Sequence, residues 1–70
     1  MQTVEIQVKG EIEAAWSSWF GDFSITRDRP GISLLTGSVH NQAELRSIVS
    51  RISDLGLELL SLNTRYTQNL

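Results

Sequence analysis

The span from Gly31 to Arg65 reads as strand, helix, strand, and that order leaves few arrangements open to the rest of the chain. Within it Leu45, Ile48, Val49, Ile52 and Leu55 recur at the i, i+3, i+4 and i+7 spacing of an amphipathic helix. They fill an arc of about 120°, the width of one core-facing stripe. Asn41 stands at the N-cap with Glu44 at the capping-box position, and Gly56 follows Leu55 as a left-handed stop. The spacing predicts a helix over Asn41–Leu55. Before it, Ile32 and Leu34 face one way, with Ser33 and Leu35 opposite. After it, Leu60 and Leu62 alternate with Leu59, Ser61 and Asn63, a last strand.

The N-terminal half repeats the order. Thr3–Lys9 alternates strictly, with Val4, Ile6 and Val8 on one face and Thr3, Glu5, Gln7 and Lys9 on the other. Gly10 breaks the strand. From Glu11 to Phe20 the period turns helical, placing Ile12, Ala15, Trp16, Trp19 and Phe20 on one face, with Glu11 and Glu13 in the first turn and Gly21 as the stop. Phe23 and Ile25 alternate with Asp22, Ser24 and Thr26 in a short strand. Arg27 to Gly31 is turn chemistry, since Pro30 presets φ and Gly31 accepts a positive one. The expected fold is therefore α+β: a ferredoxin-like β-α-β-β-α-β plait, both helices on one face of a four-stranded antiparallel sheet. Its expected core holds Trp16, Trp19, Phe20, Leu45, Ile48, Val49 and Ile52, packed on Val4, Ile6, Val8, Phe23, Ile25, Ile32, Leu34, Leu60 and Leu62.

Seventy residues make one small domain, read here as residues 1–66 with a short tail at 67–70. A chain this short buries only about 60% of its unfolded surface, so reinforcement is expected. With no cysteine and one histidine, disulfides, thiolate metal sites and multi-histidine zinc sites are excluded, and no cofactor is expected. Self-association is the reinforcement left. A net charge of −2 and the lack of a basic run speak against nucleic acid. The N-terminus has no apolar run for a signal peptide or membrane span, so the expected compartment is the cytoplasm.

No group of residues identifies an activity, and the chain is not expected to be an enzyme. Base stacking on the open sheet would need aromatics where Glu5, Gln7, Ser33 and Leu35 are expected. The loop after the first strand, Lys9-Gly10-Glu11, lacks a metal carrier's Cys-x-x-Cys, and Glu11 and Glu13 oppose phosphate at the helix start. ACT-type ligand-binding domains have this size and topology, but only Gly10 matches them, and it also reads as a plain turn. His40 reads as a solvated loop residue, Trp16 and Trp19 as core, and Arg27, Asp28 and Arg29 as a solvated turn.

The uncovered sheet face remains. Leu35 and Leu59 would be its exposed anchors, with Glu5, Gln7 and Arg65 as the rim, and a protein partner or second copy would dock there. A one-residue slip in register would instead turn Leu35 inward and Ile32 and Leu34 outward. The leading expectation is a non-catalytic interaction or self-association module. An ACT-like small-molecule sensor is the alternative.

The combination of Trp16-Ser-Ser-Trp19-Phe20, Leu35-Thr-Gly37-Ser-Val39 and Asp54-Leu-Gly-Leu-Glu-Leu-Leu-Ser61 resembles a family of short bacterial proteins without an assigned activity, over nearly the whole chain. Leu35-Thr36-Gly37-Ser38-Val39 ahead of a helix, with Gly56-Leu57 beyond it, is more loosely similar to BON domains. That second resemblance implies phospholipid or envelope binding.

Overall fold

The computed structural model describes residues 1–21 and 23–66. In chain order these form β1 (Gln2–Lys9), a 3₁₀ helix (Ala14–Phe20), β2 (Ser24–Arg29), β3 (Ile32–Val39), α1 (Gln42–Asp54) and β4 (Glu58–Tyr66). The strands make one sheet in the order β2-β3-β1-β4, each neighbouring pair antiparallel. The expected tail at 67–70 and Asp22 lie outside the described residues.

β1 forms as its alternation requires, and Val4, Ile6 and Val8 are fully buried. α1 is capped as its sequence specifies. Asn41 is the N-cap, its Oδ1 accepting from the Glu44 N–H at 2.9 Å. The Glu44 carboxylate reaches one residue further back than a standard capping box and accepts from the His40 N–H, at 3.2 Å for Oε2. At the other end Gly56, at φ 74°, gives its N–H to Ser53 O, and Leu57 gives its own to Ile52 O. This double bond pattern is a Schellman stop, and Leu57 packs on the same core as Ile52.

The two-helix plait does not form, because the first helical segment is a seven-residue 3₁₀ helix and α1 is the one α-helix among the described residues. Three features act against α-geometry. Glu13 is the N-cap, not a first-turn residue, and its side chain caps nothing. Two serines sit mid-segment, and seven residues are too few for an uncapped α-helix. The Trp16 N–H bonds Glu13 O and the Gly21 N–H bonds Ser18 O, both three residues back.

The tighter helix changes which residues are buried. At three residues per turn Ser17 and Phe20 fall in one row, and Trp16 and Trp19 in another. Phe20 is fully buried and Ser17 half-buried, while Trp16 and Trp19 remain 45% and 41% exposed. The tryptophans are therefore not core, contrary to the sequence expectation. They meet edge to face, centroids 6.3 Å apart.

β3 also departs from expectation, in register. Leu35 pairs with Ile6 and Ile25, and Ser33 with Val8, so both lie on the helix-covered face; Leu35 is fully buried. Ile32 and Leu34 turn to the open face, half-buried. Two inward contacts fix this phase. Gly37 pairs with Val4, and a Cβ on it would lie 2.5 Å from the Phe23 ring, so the ring rests on bare backbone. Ser33 Oγ gives its hydrogen to Gly10 O at 2.7 Å and accepts the Ile12 N–H at 3.0 Å, tying β3 to the loop after β1. β2 runs on through Arg27–Arg29 with a bulge at Asp28, so the turn itself is only Pro30-Gly31.

The core comprises Val4, Ile6, Val8, Phe20, Phe23, Ile25, Leu35, Val39, Ile48 and Ile52. Leu45 and Val49 of α1 are only half-buried.

Candidate functional site

On the open sheet face Glu5 stands opposite Thr36 and Asn63, Gln7 opposite Leu34 and Ser61, and Arg65 opposite Thr3. These three residues fall where the alternation puts them; Leu35 does not. Gln7 spans the sheet. Its Nε2 donates to Asp28 Oδ2 at 2.8 Å, and its Oε1 accepts from Ser61 Oγ at 2.9 Å. The centre of this face is thus a polar ladder satisfied within the chain.

Leu59 lies elsewhere than expected, and its surroundings are more open. β4 pairs with β1 in one register from Tyr66 to Ser61 and shifts by one residue at Gln7/Val8. The bulge sets Leu59 and Leu60 together against Val8, on the helix-covered side, yet each is 42% exposed. Tyr66 is 73% exposed, and none of the nine residues of β4 is buried. Three of the six exposed large hydrophobic residues among those described belong to this strand.

The cause is where α1 sits. It commits Ile48 and Ile52 to the core and leaves a groove of about 400 Å³ beside β4, with Leu45, Val49 and Leu62 as its apolar lining and Gln42, Arg46, Ser50 and Ser53 as its polar one. β4 also ends the sheet, so its outer N–H and C=O groups have no partner strand among the described residues. The opposite edge, β2, is blunted by Arg27, Asp28 and Arg29, by its bulge and by Pro30. β4 carries only Glu58 and Arg65 as charges and has no proline.

Several other polar groups are engaged close at hand. Arg27 pairs with Glu11 at 3.6 Å, and Arg29 with Asp28 at 3.7 Å. His40 Nδ1 lies 3.1 Å from Glu44 Oε1 at the mouth of α1. The His40 side chain, then its backbone N–H, holds the Glu44 carboxyl below its ordinary 4.5. A cleft of about 440 Å³ adjoins this end of α1 over an apolar floor of Phe20, Phe23, Val39 and Ile48. Its rim arginine, Arg51, gives a hydrogen bond to Trp19 O at 2.9 Å. At Gly10, φ is 135° and an added Cβ would meet Leu57 at 3.0 Å, so close packing accounts for this glycine. Among the described residues no group of three His, Asp or Glu could hold a metal ion. No helix there is long and apolar enough to cross a membrane.

Leu60, expected in the core, is exposed instead, and Tyr66 and Glu58 carry no signal in the sequence pattern. The available signal was topological: the last strand of this order pairs with β1 alone.

A four-stranded antiparallel sheet, covered on one face by one α-helix and a short 3₁₀ helix, with one edge strand left bare, defines a small α+β domain. The chain belongs to the family described as Domain of unknown function (DUF8691), whose model matches residues 3–63. No curated protein and no solved structure matches it.

Proposed function

We propose that this domain is a non-catalytic protein-interaction module whose working surface is the β4 edge, where an extended segment of a protein partner adds as a fifth strand. The observation carrying this reading is that a nine-residue edge strand buries none of its residues and exposes Leu59, Leu60 and Tyr66. Strand addition gives main-chain hydrogen bonds along such an edge, and the apolar side chains beside it supply the rest of the affinity. The contrast with β2 supports this choice of edge, since three consecutive charges and a proline blunt β2, whereas β4 has two charges at its ends and no proline. The open face, with Gln7 bonded to both Asp28 and Ser61, has less to offer a partner. His40 and Glu44 form an exposed pair with a lowered, not raised, carboxyl pKa, the reverse of what a buried general acid requires.

The test is a photo-crosslinking residue at Leu60, with the same residue at Thr26 on β2 as control. Protein adducts from position 60 and none from position 26 are expected. Equal adducts from both, or none from position 60, would refute the reading.

A further inference from the structure

We infer that the strand added at the β4 edge is β4 of a second copy of this chain, in an isologous antiparallel pair. This rests on the strand-addition reading above and names its partner. Three observations select the second copy.

The first is register. A two-fold axis through Leu62 sets Ser61 opposite Asn63 of the second copy, so open face meets open face, as continuous pleating requires. Carried outward, that register meets the bulge, where Leu59 and Leu60 together face Thr64 of the second copy. Beyond the bulge, Glu58 comes opposite Arg65 of the second copy. In the monomer Glu58 pairs with Lys9 and Arg65 with Thr3, both on the open face. The bulge thus brings the only two charges of β4 into phase, and the symmetry makes the opposite-charge pair twice.

The second is the apolar surface. Leu62 at the axis borders the groove of Leu45 and Val49, so each copy's groove faces its counterpart. Leu59, Leu60 and Tyr66 lie along the same contact. The third is size. With no cysteine for a disulfide, a shared core would add apolar burial to a small one.

The experiment uses the full chain and its charge-reversed variants. Sedimentation velocity is run up to about 1 mM, a concentration that populates even weak dimers. The wild type is expected to dimerise. Glu58→Arg sets arginine against arginine at two symmetric sites, and Arg65→Glu sets acid against acid. Each alone should dimerise about tenfold more weakly or worse. Mixed in equal amounts, the two variants make both cross pairs complementary, so a heterodimer of wild-type affinity should form. A control pair away from β4, Glu13→Arg mixed with Arg29→Glu, should give no gain over either alone. Circular dichroism at low concentration checks that each variant folds.

A wild type that stays monomeric throughout overturns the inference. So do single variants that dimerise like wild type, or a mixture no better than its parts. Should the chain be monomeric while position 60 still crosslinks to another protein, the second-copy inference falls and the strand-addition reading stands. Should position 60 crosslink to nothing, both fall.

Discussion

Replacing Gly37 by alanine tests the packing that fixes the phase of β3. Gly37 does not have the positive φ of Gly10, Gly21, Gly31 and Gly56, so alanine fits its backbone without strain. The added methyl, however, would lie 2.5, 2.7 and 2.8 Å from three atoms of the Phe23 ring. Carbon atoms pack at about 3.5–4.0 Å, so the ring must retreat by roughly 1 Å into a close-packed core. Phe23 is only 2% exposed and shares that core with Ile25, Val39 and Ile48, which leaves it little room. Overpacking of this kind costs about 1–3 kcal/mol, offset in part by roughly 0.5–1 kcal/mol for alanine over glycine in a strand. A domain of this size holds only about 3.5–10 kcal/mol in all. At an m-value near 1 kcal/mol/M, the urea midpoint should fall by roughly 0.5–2 M. The contact is identified by a second background: with Phe23→Leu in place the same Gly37→Ala change should cost at least about 1 kcal/mol less. Equal cost in both backgrounds, or no loss in either, would refute the account of a ring lying on bare backbone.

Further outcomes follow from other contacts. Ser33→Ala should destabilise by about 1–3 kcal/mol in urea unfolding and speed exchange of the Ile12 amide, since that N–H and Gly10 O lose their partner together. Trp16→Ala and Trp19→Ala should each cost well under the roughly 3–5 kcal/mol of a core tryptophan, and both indoles should be readily quenched by acrylamide. The Glu44 carboxyl, read by NMR titration, should have its midpoint below 4.5, and His40→Ala should move it up toward that value. Because the folded-state pKa is the lower one, the stabilisation from Glu44 is present above 4.5 and disappears as pH falls through the depressed value.

Elements whose sequence carries a single consistent signal form as read. β1 alternates without exception, and α1 has its stripe, its Asn41 cap and its Gly56 stop. β3 carries two signals. Adjacent Leu34 and Leu35 let either phase look apolar, and an isolated strand does not decide between them. Val39 is in step with Leu35, which is a clue. The deciding contacts, Phe23 on Gly37 and Ser33 on the Gly10 loop, are long-range, and no local period reports them. The 3₁₀ segment differs from expectation because its spacing fits 3.6 residues per turn nearly as well as 3.0, and only the latter takes both tryptophans out of the core. Of the residues expected at the open face, Glu5, Gln7 and Arg65 lie on it. Leu35 followed the β3 phase inward, and Leu59 crossed to the helix side with the bulge in β4, a feature without a sequence signature.

The bare edge and the thin first helix have one origin. Four strands at about 4.8 Å spacing make a sheet some 14 Å wide between its outer strand axes, while a helix with side chains is about 10 Å across. Two α-helices would cover that width. Here the β2 side is roofed by a seven-residue 3₁₀ helix that buries one residue, Phe20, with Phe23 filling the space over Gly37. α1 therefore supplies Ile48 and Ile52 to the centre of the sheet, and its flank residues Leu45 and Val49 reach toward β4 without closing over it. Nothing else among the described residues covers that side, so the shortfall falls wholly on β4. A longer first helix would shield β2, whose charges and bulge already protect it. The strand that still has apolar surface to bury is the one whose outer edge stands unpaired, and a contact made there removes both from water at once.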